Sequence, residues 1–313
     1  MEVLYNTSNW KEEAVVATIG FFDGVHSGHR FLLQEMRQLA ESRKLPAAVI
    51  TFPVHPKVVL RPKYQSFFLN SFDEKLKLLS ETAIDYVIVM DFTPELARLT
   101  AREFIATVLV PSWHIQTLLV GYNHRFGFQR FGKTEQYVLD GKALGVEVIK
   151  TSSYSSGNGT IVSSSEIRRQ VELGNMAFVS HLLGYHYQLK GHVIEGNQIG
   201  RRLGFPTANI AVDEKCKVIP RNGSYAVRVA IDDKKYDGML YVGSRPTVGK
   251  NDLISIEVNL FDFSEDIYNK PISVEFVALI REERKLDSLD ELCKHLQEDK
   301  LKAIDVLRFI TKL

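Results

Sequence analysis

One short stretch near the amino terminus restricts the fold of this chain more than any other. The run Ala14–Ile19 is apolar, the ten residues Gly20–His29 contain three glycines, and Phe31–Lys44 has helical apolar periodicity. This order predicts a buried strand, a tight turn and a helix. Glycines let the backbone approach a ligand closely, and a helix N-terminus presents unpaired N–H groups. The stretch therefore predicts a phosphate-binding turn.

The same alternation of strand-like and helix-like segments continues to Lys150. Apolar strands alternating with helices predict a parallel sheet covered on both faces, with ligands beyond the carboxyl ends of its strands. The turns Gly20–His29, Pro53–Pro56 and Gly121–Gly132 follow such ends, so we expect them to share one cleft. The predicted strands are Ala14–Ile19, Ala47–Phe52, Tyr86–Met90, Gln116–Val120 and Val146–Ile149, and the predicted helices are Phe31–Lys44, Phe72–Thr82, Pro94–Val110 and Thr134–Leu144.

The pattern changes after Tyr185, where short strand-like runs separated by turns predominate. Such spacing predicts an antiparallel barrel or sandwich, and the tail Ser288–Leu313 has helical periodicity. We therefore predict two domains, 1–185 and 186–313. The strands predicted in the second are Tyr187–Ile194, Tyr225–Ile231, Lys235–Val242, Ile254–Phe263 and Ile272–Ile280.

The composition limits the classes of protein to consider. The 313 residues include 45% apolar and 25% charged residues, enough for two globular cores. A net charge of +1 disfavours bulk attraction to nucleic acid or an anionic membrane. Two distant cysteines, Cys216 and Cys293, predict neither a disulfide framework nor a zinc site. A polar start, Met1–Lys11, and no apolar run of membrane length predict a cytoplasmic protein.

The first candidate site combines the glycine turn with polar residues from later loops. His26 and His29 are three residues apart at a predicted helix start, so both imidazoles would lie on one side. Oriented donors of this kind stabilise the charge that grows when a nucleotide α-phosphate is attacked. Metal ligation and ordinary polar surface are alternatives for the two histidines. The other candidates are Asp23, Asn123, Arg125 and the segment Ser163–Arg168, in which Ser163 and Glu166 also fit a plain capping box.

The second candidate site lies in the carboxyl-terminal half. Gly196, Gly200 and Gly204 predict a loop whose backbone cradles phosphates. Thr207 and Asn209 would point the same way from an extended segment and would suit Mg²⁺ that keeps water and phosphate ligands. Glu257 lies on a strand face that it shares with Phe261 and Phe263, which suggests a general base. Backbone-satisfying turn residues and a solvated glutamate are the structural alternatives.

These residues resemble a known family. Gly20–His29 is similar to the HxGH-type motif of nucleotidylyltransferases, and Ser163–Arg168 resembles their second, serine-rich ATP motif. With Thr51–Pro56 and Val120–Gly127, they resemble the N-terminal module of prokaryotic bifunctional riboflavin kinase/FMN adenylyltransferases, also called FAD synthetases. A second set of motifs resembles the riboflavin kinase module of the same enzymes. These motifs are Pro206–Asn209, Asn222–Tyr225, Gly243–Thr247, and Glu257 with Phe261–Phe263.

The resemblance implies a Rossmann-like α/β adenylyltransferase followed by a small antiparallel six-stranded β-barrel (flavokinase) with a C-terminal helix. It implies FMN formation from riboflavin and ATP, then FAD formation with release of pyrophosphate, with His26 and His29 catalytic in adenylyl transfer. Glu257 would deprotonate the riboflavin hydroxyl, while Thr207 and Asn209 would help to hold Mg-ATP. Asn123 and Arg125 would bind flavin, and the nucleotides would contact Gly20, Phe21, Asp23, Gly28, Ser164, Ser165, Arg168, Gly196, Gly200 and Gly204.

The chain departs from the family pattern at several positions. Asn123-His124 replaces a common Asp-Phe, Tyr241 replaces Asn, Asn259 replaces His, and Asn269 replaces the Gly that follows Tyr268. None of these removes a residue with an expected catalytic role. They leave two rival hypotheses: an enzyme in which only the kinase half is active, and a non-enzymatic flavin- or nucleic-acid-binding protein.

Overall fold

The chain forms two compact units, Met1–Ser163 and Ser164–Leu313. The structure, a computed structural model, describes residues 1–8, 10–60, 67–122, 126–128, 134–156, 159, 161–196, 200, 204–245, 253–284 and 288–309. None of the helices in these ranges combines the length and apolar content that a bilayer crossing requires.

The first unit contains a parallel six-stranded sheet of order β1-β4-β3-β2-β5-β6. Its strands are β1 (Glu2–Leu4), β2 (Val15–Ile19), β3 (Ala47–Thr51), β4 (Tyr86–Val89), β5 (Ile115–Val120) and β6 (Glu147–Lys150). Its helices are α1 (Ser27–Arg43), α2 (Pro56–Leu60), α3 (Phe72–Ser80), α4 (Ala101–Phe104), α5 (Val110–Trp113) and α6 (Thr134–Ala143).

Apolar cores lie on both faces of this sheet, as predicted. The central strands β2 and β3 are buried along their whole length. Alternate residues of β2 therefore enter different cores: Val16 packs with Met36 of α1, while Val15 packs with Leu109 from the other layer. This burial on both sides explains the uninterrupted apolar runs in the sequence.

Two local predictions for the first unit need correction. The single helix expected over Pro94–Val110 is instead a 3₁₀ turn, Leu96–Arg98, followed by a new helical start at Thr100. There Thr100 and Glu103 form a reciprocal capping box, and a π-helical turn, Ile105–Leu109, connects α4 with α5. The short elements β1 and α2 were not predicted, because three and five residues are too few to display a periodicity.

The second unit is a closed antiparallel barrel of order β10-β11-β8-β7-β12-β9 with flanking helices. Its strands are β7 (Tyr187–Ile194), β8 (Ala208–Val212), β9 (Gly223–Ile231), β10 (Lys234–Arg245), β11 (Leu253–Leu260) and β12 (Pro271–Glu282). Its helices are α7 (Ser164–Glu172), α8 (Met176–Leu183) and α9 (Leu289–Phe309). The six-stranded barrel and terminal helix are confirmed.

Helix α9 covers part of the outer barrel surface. Ala303 and Leu307 of α9 pack with Ala226 and Met239 from β9 and β10. The single Nε–H of Arg281 on β12 donates a bifurcated hydrogen bond to both oxygens of the buried Asp299 carboxylate, at 2.8 and 3.1 Å. These contacts fix the helix to the barrel.

The boundary between the two compact units follows Ser163, whereas the predicted domain boundary follows residue 185. Helix α8 packs against β7 and β12, so the helical pair α7–α8 belongs to the barrel unit by its contacts. The functional limits 1–185 and 186–313 stay a prediction.

Candidate active sites

The glycine turn between β2 and α1 adopts an unusual backbone conformation. Phe22, Gly24 and Val25 have φ of 55°, 84° and 34°, which is strained for the two residues that carry a Cβ. Phe22 and Val25 are 3% and 0% exposed within the core under the sheet. Burial of these two side chains therefore holds the turn in a shape that local propensity disfavours.

His26 and His29 lie together at the start of α1. His26 is the N-cap residue, and its Nδ1 accepts the His29 backbone N–H at 3.2 Å. The two rings are stacked, with centroids 3.6 Å apart and planes 13° apart. A Cβ at Gly28 would lie 3.3 Å from the His26 ring, so glycine leaves room for this stack.

The protonation state of His26 follows from its surroundings. The side chain is 5% exposed, and burial lowers the pKa of the imidazole to about 4. Because Nδ1 accepts a hydrogen bond, the proton of the neutral ring is on Nε2. His26 is therefore a neutral N–H donor near pH 7, next to the helix N-terminus.

A buried lysine that sequence analysis did not predict as a site residue donates hydrogen bonds to the same turn. Lys75 of α3 is 3% exposed, and its Nζ donates to the carbonyl oxygens of Phe21 at 3.0 Å and Phe52 at 2.8 Å. Those carbonyls follow β2 and β3, so the Nζ group of one lysine connects two loops that carry sequence motifs. The Phe21 ring lies 4.1 Å from Nζ.

The predicted nucleotide-binding residue Asp23 lies beside this lysine. Asp23 is 5% exposed and accepts the Leu69 N–H at 2.9 Å. Burial lowers the pKa of Lys75 to about 7, against the opposing attraction of Asp23. The Asp23 carboxylate thus has a structural role, and its contact with nucleotide stays a prediction.

We expect Lys75→Met to weaken about tenfold the adenylyl transfer that the family resemblance implies for the first unit, because the hydrogen bonds from Nζ to two loops are lost. The phosphoryl transfer that the resemblance implies for the second unit should be unchanged and serves as the internal control. Lys75→Arg, which keeps the charge, should retain more activity than Lys75→Met. Equal loss of both activities would contradict a role confined to the first unit.

Lys75 should also make the stability of the first unit depend on pH. Its folded pKa of about 7 is below its ordinary value of 10.5, so the folded chain binds fewer protons than the unfolded chain between these pH values. Stability should therefore rise with pH across that window, and thermal unfolding of Lys75→Met should lose this part of the slope.

Several predicted residues of the first site are not brought together by these contacts. Asn123 and Arg125 lie outside the described residues. Ser164, Ser165 and Arg168 lie on α7, in the second compact unit, where Arg168 donates to Ser165 Oγ at 3.2 Å. Their combination with the histidine pair stays a prediction. Gly20 and Phe21 belong to the turn itself, and a Cβ at Gly20 would lie 3.0 Å from the Phe22 ring.

The second candidate site lies between β8 and β11 of the barrel. Asn209 is directly opposite Glu257 in the register, so both side chains are on one face. The Thr207 hydroxyl donates to Glu257 Oε2 at 3.3 Å. The three residues chosen from sequence are therefore neighbours in space.

The Glu257 carboxylate is partly exposed and has hydroxyl partners. Ser255, two residues earlier on the same strand, donates to Oε1 at 2.9 Å. The strand face shared with Phe261 and Phe263 was predicted wrongly, because β11 ends at Leu260 and both phenylalanines follow the strand. The carboxylate is held by hydroxyl groups and is not isolated on an apolar strand.

Two of the predicted loop glycines let the backbone approach the predicted Mg²⁺ ligands closely. A Cβ at Gly196 would collide with the Asn209 amide, and a Cβ at Gly200 would collide with the Phe205 carbonyl oxygen and lie 3.2 Å from Thr207 Oγ1. Gly204 has φ of 81° in a turn with open space around it. The Thr207 hydroxyl and the Asn209 amide oxygen are ligands that fit Mg²⁺ that keeps water and phosphate ligands.

A cavity of about 400 Å³ adjoins Thr207. Its other wall includes the segment Phe263–Tyr268, of which sequence analysis associated only Phe263 with the site. The volume is in the range of small-molecule pockets. Since Thr207 borders both the cavity and Glu257, the cavity extends the second site.

Two of the departures from the family pattern have structural explanations. Asn269 has φ of 61°, a left-handed conformation that asparagine tolerates better than most residues, so it can stand where glycine is common. Asn259 is 5% exposed and donates to the Pro206 carbonyl at 2.7 Å, which fixes the residue next to Thr207.

Two family models match successive parts of the chain. A family model described as FAD synthetase matches residues 8–166, and one described as riboflavin kinase matches residues 183–307. A bifunctional riboflavin kinase/FMN adenylyltransferase from Escherichia coli K12 is 36% identical over 96% of this chain and 95% of its own length. Its namesake from Bacillus subtilis 168 is 34% identical over 94% and 93% of the two chains.

A solved structure has the same fold. The crystal structure described as a macrolide-efflux protein from Streptococcus pneumoniae matches with a TM-score of 0.86 and 30% identity, covering 96% of this chain and 98% of that one.

Proposed function

The chain belongs to the bifunctional riboflavin kinase/FMN adenylyltransferases, and we propose how its residues divide the two reactions of that family. The enzyme phosphorylates riboflavin to FMN and then adenylylates FMN to FAD. We assign the first step to the Thr207–Asn209–Glu257 group and the second to the His26–His29 pair. The observation that supports this division most directly is the Asn209–Glu257 register pair, with Thr207 bonded to the same carboxylate.

In the kinase step, Glu257 accepts the proton of the riboflavin 5′-hydroxyl as that oxygen attacks the γ-phosphorus of ATP. The hydroxyls of Thr207 and Ser255 orient the carboxylate for this transfer. Positioning and charge stabilisation supply most of the rate in phosphoryl transfer. ADP leaves, and FMN is the product.

Mg²⁺ fits the same site. Thr207 and Asn209 would hold it through their oxygens, and the bound ion would neutralise charge on the phosphates. The Thr207 hydroxyl can donate its proton to Glu257 and still present an oxygen lone pair. Because Gly196 and Gly200 lack a Cβ, the loop backbone lies close to Asn209 and Thr207.

In the adenylyl-transfer step, a phosphate oxygen of FMN attacks the α-phosphorus of ATP, and pyrophosphate leaves. The neutral His26 and its stacked neighbour His29 donate to phosphate oxygens, and the α1 N-terminus adds backbone N–H groups. On the basis of the family resemblance, we also propose that flavin is bound by Asn123 and Arg125. The nucleotide is bound by Ser164, Ser165 and Arg168. Because ATP is the donor in both steps, we also propose a cytoplasmic location.

One assay tests the whole proposal. The purified chain is incubated with riboflavin, ATP and Mg²⁺, and the flavins are separated by chromatography. We expect FMN to appear first and FAD to follow. FMN without FAD would support the kinase-only rival, whereas no product would contradict both assignments.

A further inference from the structure

We propose that Tyr241, a departure from the family pattern, is the surface on which the ring of riboflavin stacks in the kinase site. This inference rests on the proposed function of Glu257. Tyr241 of β10 is directly opposite Glu257 of β11 in the antiparallel register. Opposed residues have side chains on the same face, with Cβ atoms about 5 Å apart. The phenol ring and the proposed base therefore share one surface of the barrel.

The direction of the ring follows from its contacts. An ideal Cβ at Gly243 would lie 2.7 Å from Tyr241 Cζ and 2.8 Å from Oη, so the ring lies over this glycine. Gly243 is two residues farther along β10 and is opposite Ser255. Two residues of a β-strand span about 7 Å. The end of the Tyr241 ring is therefore about 7 Å along the strand from the position opposite Glu257.

This spacing matches the substrate. The hydroxyl that reacts at Glu257 is joined to the flavin ring by the ribityl chain, which is about 7 Å long when extended, with carbon–carbon bonds of about 1.5 Å. A flavin whose hydroxyl lies at Glu257 can therefore place its ring beside Tyr241. Offset stacking of aromatic rings is favourable in such an arrangement.

Hydrogen bonds keep the Tyr241 ring in this orientation. Its hydroxyl donates to Glu283 Oε1 at 2.6 Å, and Asn222 Nδ2 donates to Glu283 Oε2 at 2.8 Å. Burial, followed by the hydrogen bond to Glu283, raises the pKa of Tyr241, so the phenol stays a protonated donor. Since the ring is ordered before substrate binds and is still partly exposed, stacking costs little conformational entropy.

The test compares Tyr241→Leu, Tyr241→Phe and Tyr241→Asn in the full chain. We expect Tyr241→Leu and Tyr241→Asn to raise the KM for riboflavin in FMN formation about tenfold, with the KM for ATP unchanged. Tyr241→Phe, which keeps the ring, should change the riboflavin KM less than threefold. Riboflavin fluorescence should be quenched on binding to the wild type and Tyr241→Phe, and this quenching should be weaker in the other two variants.

A second variant tests the ring orientation. Gly243→Ala would place a methyl group where the Tyr241 ring lies, so it should raise the riboflavin KM as Tyr241→Leu does. FAD formation from supplied FMN reports folding of the chain and should be unchanged throughout. Unchanged riboflavin KM and quenching in Tyr241→Leu would overturn the inference, as would equal increases in both substrate KM values. Absence of FMN formation by the wild type would instead refute the proposed function.

Discussion

Glu257→Gln should lower FMN formation by about 10²- to 10⁴-fold, the contribution of a positioned general base. The amide keeps the size of the side chain but cannot accept the proton of the riboflavin hydroxyl. Thr207 donates to Oε2 and Ser255 to Oε1, so one hydroxyl can still donate to the amide oxygen while the other accepts from the amide N–H, and the local packing should persist. The measurement is the initial rate of FMN formation at saturating riboflavin and ATP.

The controls for this variant are FAD formation and an unrelated carboxylate. FAD formation from supplied FMN should be unaffected, because Glu257 belongs to the barrel unit. Asp233→Asn changes an exposed carboxylate in the β9–β10 turn and should leave both rates unchanged. If Glu257→Gln kept the wild-type kinase rate, the assignment of Glu257 as the base would be wrong.

His29→Ala should lower FAD formation by about 10²- to 10³-fold, the usual effect of removing a donor that stabilises transition-state charge. FMN formation by the same protein should continue, so FMN should accumulate. The backbone N–H of residue 29 can still donate to His26, so the helix cap is retained. This makes His29→Ala a cleaner test than a change at His26, which would also remove the cap.

The rate of FAD formation should be measured with supplied FMN at varied ATP. A lower kcat with a small change in KM would indicate a contact made mainly in the transition state. Arg30→Ala removes a neighbouring side chain of α1 that pairs with Glu81 at 3.2 Å, and it provides a matched comparison for effects on helix stability. A His29→Ala enzyme that formed FAD normally would exclude the proposed role.

The fold could be predicted from sequence where its elements are long and uniformly apolar. Strands β2 and β3 lie within one residue of their predicted limits, because burial on both faces produces a strong pattern. Helix α1 ends one residue before its predicted end but begins at Ser27, four residues before its predicted start. Strand β8 was not predicted. It has only five residues and follows a glycine loop, and its partners in the barrel are remote in sequence.

The candidate site could be predicted in part, for a similar reason. Thr207, Asn209 and Glu257 stand in recognisable local motifs, and the barrel brings them together. Ser255 could have been found from the two-residue repeat of a strand face. Lys75 could not, because a lysine in an amphipathic helix is normally exposed, and only tertiary contacts with two remote loops explain its burial.

The short pairing between β8 and β11 has a further consequence. These strands share two register pairs, Glu257–Asn209 and Val258–Ala208, whereas β10 and β11 share eight. Among the described residues, the proposed kinase residues thus lie at the strand pair of the barrel that shares the fewest register pairs. Local opening costs less where fewer backbone pairs must separate. Ligands that bridge β8 and β11 would stabilise the pairing of these strands. Substrate binding should therefore increase the resistance of their backbone amides to hydrogen exchange, because the two equilibria are thermodynamically linked.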